Sequence, residues 1–327
     1  MSLAKTGAIS DIAEGAGARH YDVSERLYLR LPATSANLGP GFDTLALALT
    51  LALEIDASSS REFSLKATGR NPDVCSSLRR NLLLDVYQKT LAANGAAMAP
   101  LSLDIHNEIP IGMGFGSSAA VRLGGVALAN HFGQLGWSRE RILTEASLLE
   151  GHPDNAAACW LGGMTVATLE QGQVHALTIA PAAAWRVFLV MPEKPLATTA
   201  ARSVLPNSYS REDAVYNIQR ASLLTAAFAT GRGDMLQVAM QDRMHHPYRR
   251  EICPLLPLVS PMAGKDGVLG VALSGAGPST LLIVDEEAAT NEIRERILER
   301  VGSCAAVEVL ECGMEVSPAV ALPTIPR

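Results

Sequence analysis

Apolar positions along the chain switch repeatedly between a period of two and a period near 3.6. Leu27, Leu29 and Leu31 alternate with Tyr28 and Arg30, which predicts a strand stopped by Pro32. The apolar run Leu45 to Ile55 fits a buried strand or a helix equally, because periodicity does not separate them. Asn81 to Asn94 has the spacing of an amphipathic helix that ends near Gly95. Leu101, Leu103 and Ile105 alternate with Ser102, Asp104 and His106, the mark of a half-buried strand, which runs into a glycine loop at 112–116. Helices are expected over Ser117 to His131, with Gly133 just past the end, and over Arg139 to Leu149. The pattern weakens around 170–185, through Gln171-Gly172-Gln173 and Pro181-Ala182-Ala183-Ala184, which places a domain boundary there. Beyond it come a strand Trp185–Met191, helices Asp213–Thr230 and Asp234–Met244, and strands Val268–Leu273 and Thr280–Val284 around a glycine turn at 274–279. A charged helix Glu287–Val301 and a last strand Ala305–Leu310 follow. Strands and helices occur in both halves without regular alternation, so the expected class is α+β with two layers per domain.

Composition narrows the functions open to such a chain. Of its 327 residues 48% are hydrophobic and 18% charged, which excludes a disordered polymer. The net charge of −6 argues against a general nucleic-acid binder, which needs a basic face. The five cysteines, Cys75, Cys159, Cys253, Cys304 and Cys312, form no C-x-x-C and are odd in number. They fit free thiols in a reducing compartment better than a disulfide framework or zinc ribbon. The longest early apolar stretch falls far short of the ~20 residues that span a bilayer. The first twenty residues lack the basic-then-apolar order of a signal peptide, so a cytoplasmic protein without a membrane partner is expected.

Five segments could carry chemistry. Ile109-Pro110-Ile111-Gly112-Met113-Gly114-Phe115-Gly116-Ser117-Ser118-Ala119-Ala120 joins a strand to a helix through three alternate glycines. Glycine there permits positive φ and close approach of a ligand, and the helix start offers free N–H groups and a favourable dipole for an anion. It is not a Walker A loop: Gly264-Lys265 is followed by Asp266. Nor is it G-x-G-x-x-G, since Ser117 stands in the last glycine's place. A plain connection with an N-cap serine needs fewer glycines than this, so a phosphate cradle is the preferred reading.

The other four segments each have a plainer explanation. Pro32 to Asp43, PATSANLGPGFD, fits a binding loop or a long turn equally. Glu150-Gly151-His152-Pro153-Asp154-Asn155 gathers a carboxylate pair, an imidazole and an amide, and suits oxygen ligation of Mg²⁺ or helix capping, capping being the simpler. Leu273 to Thr280, LSGAGPST, could be an anion nest, with a hairpin turn the simpler account. Arg202, Arg249 and Arg250 could anchor a carboxylate or simply be solvated, and His245-His246 lacks the ligand cluster a metal site needs.

Taken in order, these segments resemble the superfamily of galactokinases, homoserine kinases, mevalonate kinases and phosphomevalonate kinases. The motifs that carry the likeness are PATSANLGPGFD at 32–43, GFGSSAA at 114–120 and LSGAGPST at 273–280; EGHPDN at 150–155 and HPYR at 246–249 point to its homoserine branch. The likeness covers roughly residues 27–325. It implies a two-domain α+β kinase, with a tail at 1–26, an ATP-binding domain at 27–175 resembling the second domain of ribosomal protein S5, and a ferredoxin-like domain at 176–327. It implies transfer of phosphate from ATP to the hydroxyl of L-homoserine, giving O-phospho-L-homoserine for threonine biosynthesis. The alternatives are a kinase of the superfamily acting on another alcohol, or a nucleotide-binding regulator without catalysis.

Residue by residue, the resemblance implies ATP phosphates on Pro110 to Ala120, with Asn81 near the adenine. Mg²⁺ falls to Ser118 (or Ser117) and Glu150, with Glu145 as the alternative because the segment before His152 is short. It implies homoserine on Asn37, Asp43, His152, Arg202 and Arg249, with Asp43 for the ammonium and the arginines for the carboxylate. Asn155, Asp154 and Arg202 are the implied catalytic residues, with the use of a general base left open. A homodimer is the implied assembly.

Overall fold

The computed structural model describes residues 26–302 and 306–323. The expected tail therefore lies outside the described residues except for Arg26, as do Cys304 and the first residue of the last expected strand. The first half runs β1 (Arg26–Asn37), β2 (Gly41–Ser59), β3 (Ser64–Gly69), α1 (Pro72–Cys75), α2 (Leu82–Ala93), β4 (Leu101–Asn107), α3 (Ser117–Phe132), α4 (Arg139–Glu150), α5 (Asp154–Leu161), β5 (Met164–Glu170) and β6 (Gln173–Ile179). The second half runs β7 (Arg186–Pro192), α6 (Thr198–Ser203), α7 (Arg211–Thr230), α8 (Leu236–Ala239), α9 (His246–Arg249), α10 (Leu255–Val259), β8 (Val268–Leu273), β9 (Thr280–Val284), α11 (Thr290–Val301), β10 (Val307–Cys312) and β11 (Val320–Pro323).

Among the described residues there are two sheets. One has the order β11-β1-β2-β4-β3, with β5 on β2 and β6 on β5; the other has the order β10-β7-β9-β8. The α+β class expected from the pattern is the one observed. The expected boundary at 175/176 falls inside β6, whose residues pair with β5, and the chain passes from one sheet to the other between Ile179 and Arg186. The closing strand β11 returns to pair with β1 of the first sheet.

The ambiguous run 45–55 is strand, and its burial explains the ambiguity. Leu45, Leu47 and Leu49 enter the main core, while Ala46 and Ala48 pack with Ala36 and Ala158 on the other face. A strand covered on both faces loses polar alternation. The same holds for β7: Val187, Leu189 and Met191 join the main core, whereas Phe188 and Val190 join a second core under α10 and α11.

Three expectations are corrected and one plainer account fails. Pro32 does not stop β1, which continues to Asn37; the strand shifts register between Pro32 and Ala33, a bulge where the missing N–H is tolerated. The weak stretch near 170 is a hairpin, turning at Gln171 and Gly172, both of positive φ, and β6 is mostly exposed, so its apolar signal is thin. At α3, which starts at Ser117 as expected, the plainer N-cap-serine account fails: Gly116 is the N-cap, at φ 68°, with no side-chain cap. The single helix expected over Asp234–Met244 reduces to one 3₁₀ turn and the short α8. The reason lies at Asp242, whose carboxylate accepts the backbone N–H groups of Met244, His245 and His246 and so competes with helical pairing.

Candidate active site

Four loops meet at the open end of the two sheets. Gly275 N–H donates to the Ala36 carbonyl at 3.0 Å, and Leu196 N–H to the Gly112 carbonyl at 3.1 Å. Ser274 Oγ donates to the Gly114 carbonyl at 2.8 Å and pairs with Ser35 Oγ at 2.9 Å. Their closeness is what demands glycine in the 112–116 loop. Gly114 has φ +85°, and a β-carbon on it would lie 2.2 Å from the Ser274 carbonyl oxygen; one on Gly116 would lie 1.9 Å from Thr34 Oγ1. Neighbouring protein by itself therefore demands glycine at 114 and 116, and the same glycines line the cleft. Since no side chain caps α3, its first-turn amides are left facing the cleft that the loops enclose.

That cleft is lined by Asn37, Asp43, Gly112, Gly114, Phe115, Gly116, Ser117, Ser118, Glu150, His152, Asp154, Asn155, Arg202 and Arg249, together with Gly275, Ala276 and Gly277. An adjoining apolar cavity is lined by Leu53, Val74, Cys75, Asn81, Leu83, Ile105, Ile111 and Val121, and it shares Gly112, Ser117 and Ser118 with the cleft. Some residues of the glycine-loop run point elsewhere. Pro110 and Met113 border a separate depression with Arg70 and Glu308. Ala119 and Ala120 are buried in the main core. Asn81 spends its amide on local structure: Oδ1 caps α2 at Leu83 and Leu84, and Nδ2 donates to the Cys75 and Ser77 carbonyls.

At one end of the cleft Ser118 Oγ lies 3.2 Å from Glu150 Oε2, and Arg122 Nη1 donates to both oxygens. Glu145 is not there; it pairs with Arg141 on the surface of α4 at 2.6 Å. A hydroxyl and a carboxylate are the hard oxygen donors that suit Mg²⁺, and a cationic group already rests on both.

Next to this pair, Asp154 Oδ1 accepts from the His152 ring at 2.6 Å and from the Asn155 backbone N–H at 2.7 Å. Asn155 Oδ1 in turn accepts from Thr34 Oγ1 at 2.7 Å. Burial pulls the His152 imidazole down, but the bond to Asp154 and the charges of Asp154 and Asp43 outweigh it, so its pKa is raised above 6.5.

At the far end Arg202 and Asp43 form a two-pronged ion pair, at 2.6 and 3.0 Å. The Asp43 carboxylate holds the Arg202 guanidinium above its ordinary pKa. Asn37 fixes this corner, its Oδ1 accepting from Asp43 N–H at 3.0 Å and its Nδ2 donating to the Gly275 carbonyl at 2.8 Å. Arg249 is 1% exposed, and its hydrogen-bond partners are all neutral: the Ala201 carbonyl at 3.0 Å, His245 Nδ1 at 3.1 Å and the Gly275 carbonyl at 3.4 Å. Among the described residues no carboxylate pairs with it, and burial lowers its pKa.

His245 explains how Arg249 is held. Its Nε2–H donates to the Gly39 carbonyl at 2.7 Å, which leaves Nδ1 as an acceptor for the guanidinium. Burial pushes His245 and His246 down, so both rings are neutral. The trio Asp242, His245 and His246 has metal-like spacing, but its polar atoms are taken by Gly39, Arg249, Leu273 N–H and the turn amides. Arg122, Thr34 and His245 went unmarked as site residues in the sequence. Thr34 lay within the first motif, but its partner stands 121 positions away.

The family described as GHMP kinases N terminal domain matches residues 81–163. The homoserine kinase of Solibacter usitatus is 42% identical over 289 residues, covering 88% of this chain and 94% of that protein. The chain belongs to the homoserine kinase family. A crystal structure of a homoserine kinase from Cytophaga hutchinsonii superposes with a TM-score of 0.75 at 23% identity, over 91% of this chain and 97% of the other, and so shares the fold. A putative homoserine kinase from Listeria monocytogenes does so at 0.70 and 28% identity, over 90% and 99%. Among the described residues no helix is long and apolar enough to cross a membrane.

Proposed function

We propose that this member of the homoserine kinase family transfers the γ-phosphoryl group of ATP to the side-chain hydroxyl of L-homoserine, forming O-phospho-L-homoserine on the route to threonine. The observation that carries the reading is Arg249, a buried cation with only neutral partners, at the edge of a cleft that also holds the Arg202–Asp43 pair. Asp242 and Asp43 act on Arg249 only from a distance, and burying a charge with no carboxylate bonded to it is costly, a cost that an anionic ligand lowers.

The acceptor's chemistry follows from the same corner. An amino acid carries a carboxylate and an ammonium on one carbon. Its carboxylate can take the place of Asp43 on Arg202 and engage Arg249, while its ammonium takes the place of Arg202 on Asp43. Opposite charges are exchanged for opposite charges, so Arg202 and Asp43 each keep a partner while Arg249 gains one. Mevalonate, a carboxylate without an ammonium, would take Arg202 and leave Asp43 without a cation, and a neutral sugar offers no charge to either partner. His152, held by Asp154, stands close to Asp43 and offers a further donor to the acceptor.

For ATP, the uncapped amides of α3 and the loop 112–116 suit a polyphosphate, and the apolar cavity beside Asn81 suits the base. Ser118 and Glu150 would hold Mg²⁺, which when bound supplies charge neutralisation to the phosphates. Asp154, Asn155 and Arg202, all lining the cleft, are the catalytic residues of this reading. The bonds that Asp154 already accepts support a role in orienting His152 and Asn155, with transfer depending on alignment of the hydroxyl with the phosphorus. The homodimer implied by the resemblance belongs to the same reading and is checked by light scattering.

The test is ADP release measured with Mg²⁺-ATP over a panel of small alcohols: L-homoserine, mevalonate, galactose and shikimate. Turnover confined to L-homoserine is expected. Turnover with another alcohol and none with millimolar homoserine overturns the reading.

A further inference from the structure

We propose that Arg122 is a tethered cation that competes with the divalent metal for Ser118 and Glu150. The inference rests on the reading of those two residues as the metal's protein ligands.

Arg122 is four residues after Ser118 on α3, so the two side chains lie one above the other on the same helix face. From there Nη1 donates to Ser118 Oγ and to Glu150 Oε2, the same two oxygens that face each other across 3.2 Å. The three groups thus share one point in space, and the guanidinium nitrogen occupies it. The pair is largely withdrawn from solvent, with side-chain exposures of 23% for Arg122 and 12% for Glu150, so water screens it less than a surface pair. A divalent ion needs these oxygens, and two cations on one carboxylate oxygen repel each other. The guanidinium has to leave both before the metal can bind.

The arrangement keeps Glu150 partnered while the cleft holds no metal. It also sets the metal's affinity: every metal-binding event first breaks two hydrogen bonds to Arg122. A residue that merely braced α3 against α4 would stabilise the fold without opposing the metal.

The experiment titrates Mn²⁺ into the full chain and follows the free-ion signal by electron paramagnetic resonance, for the wild type, Arg122→Gln, Arg122→Lys and Glu150→Gln. Arg122→Gln is expected to bind Mn²⁺ at least about tenfold more tightly than wild type, the change produced by roughly 1.4 kcal/mol. Arg122→Lys, which keeps a cation, should stay near wild type, and Glu150→Gln should lose the site. Melting temperatures confirm that each variant is folded, and the lysine variant serves if the glutamine variant is not: it then has to bind no more tightly than wild type. Glu150-dependent Mn²⁺ binding that is unchanged or weaker in Arg122→Gln overturns the proposal. Absence of any Glu150-dependent binding in every variant overturns the metal reading and the proposal with it.

Discussion

Arg202 and Asp43 grip each other through two hydrogen bonds, at 2.6 and 3.0 Å, across 159 positions of sequence. Under the proposed function, the pair presets both halves of a zwitterion site before any ligand arrives. Asp43→Asn removes the carboxylate that an ammonium needs. The wild type should favour L-homoserine over 4-hydroxybutyrate, which lacks the amine, by about 100-fold in kcat/KM, the worth of a charged hydrogen bond. In Asp43→Asn that ratio should fall close to one. An unchanged ratio would remove Asp43 from ammonium recognition.

Arg249 carries the complementary charge. Arg249→Ala should raise the KM for homoserine by roughly 30-fold or more, corresponding to about 2 kcal/mol, and leave the KM for ATP nearly unchanged. Steady-state kinetics with each substrate varied in turn checks this, with the melting temperature as control, since the side chain is buried. Equal rises in both KM values would show that the variant disturbs the cleft as a whole.

The glycine loop gives a stability prediction. Gly114→Ala forces a side chain into a positive φ and places a β-carbon 2.2 Å from the Ser274 carbonyl oxygen. Strain and overpacking together should cost about 3 kcal/mol or more, a fall in melting temperature of roughly 5 °C or more for a chain of this size. Gly136→Ala, where φ is also positive but nothing lies within 4 Å, should cost less. A comparable loss in both would mean that backbone conformation, not the contact with the 274–277 loop, sets the penalty.

Much of this architecture was legible in the chain. The alternation of Leu101, Leu103 and Ile105 specified β4, and the spacing from Asn81 specified α2 to within a residue at each end. The failures have local causes. β6 alternates against solvent, so its apolar side is too weak to register, and Asp242 diverts a helix-like stretch into a turn by accepting three backbone N–H groups. The motifs named many residues that line the cleft. They could not tell which members of a motif face it: Ala119 and Ala120 are core, and Pro110 and Met113 border another depression. Arg122 and His245 act through partners brought in by folding, and one-dimensional spacing carries no trace of the contacts between His245, Gly39 and Arg249.

His152 gives a pH dependence. Its pKa is raised above 6.5 in the folded protein, because the Asp154 bond and the Asp154 and Asp43 charges outweigh the opposing effect of burial. The stabilisation from a protonated His152 is therefore fully present below about 6.5 and is lost as pH rises through the raised value. The difference in melting temperature between wild type and His152→Gln should shrink across that window. A difference that grows with pH would reverse the sign of the coupling and remove the charged His152–Asp154 pair.

Phosphoryl transfer to L-homoserine leaves a product that can be observed directly. Phosphorus NMR of the chain incubated with ATP, Mg²⁺ and L-homoserine should show a new phosphomonoester resonance, coupled to the homoserine γ-methylene protons and growing in step with ADP. Inorganic phosphate as the only new species, or a phosphorus signal coupled to no homoserine proton, would contradict it.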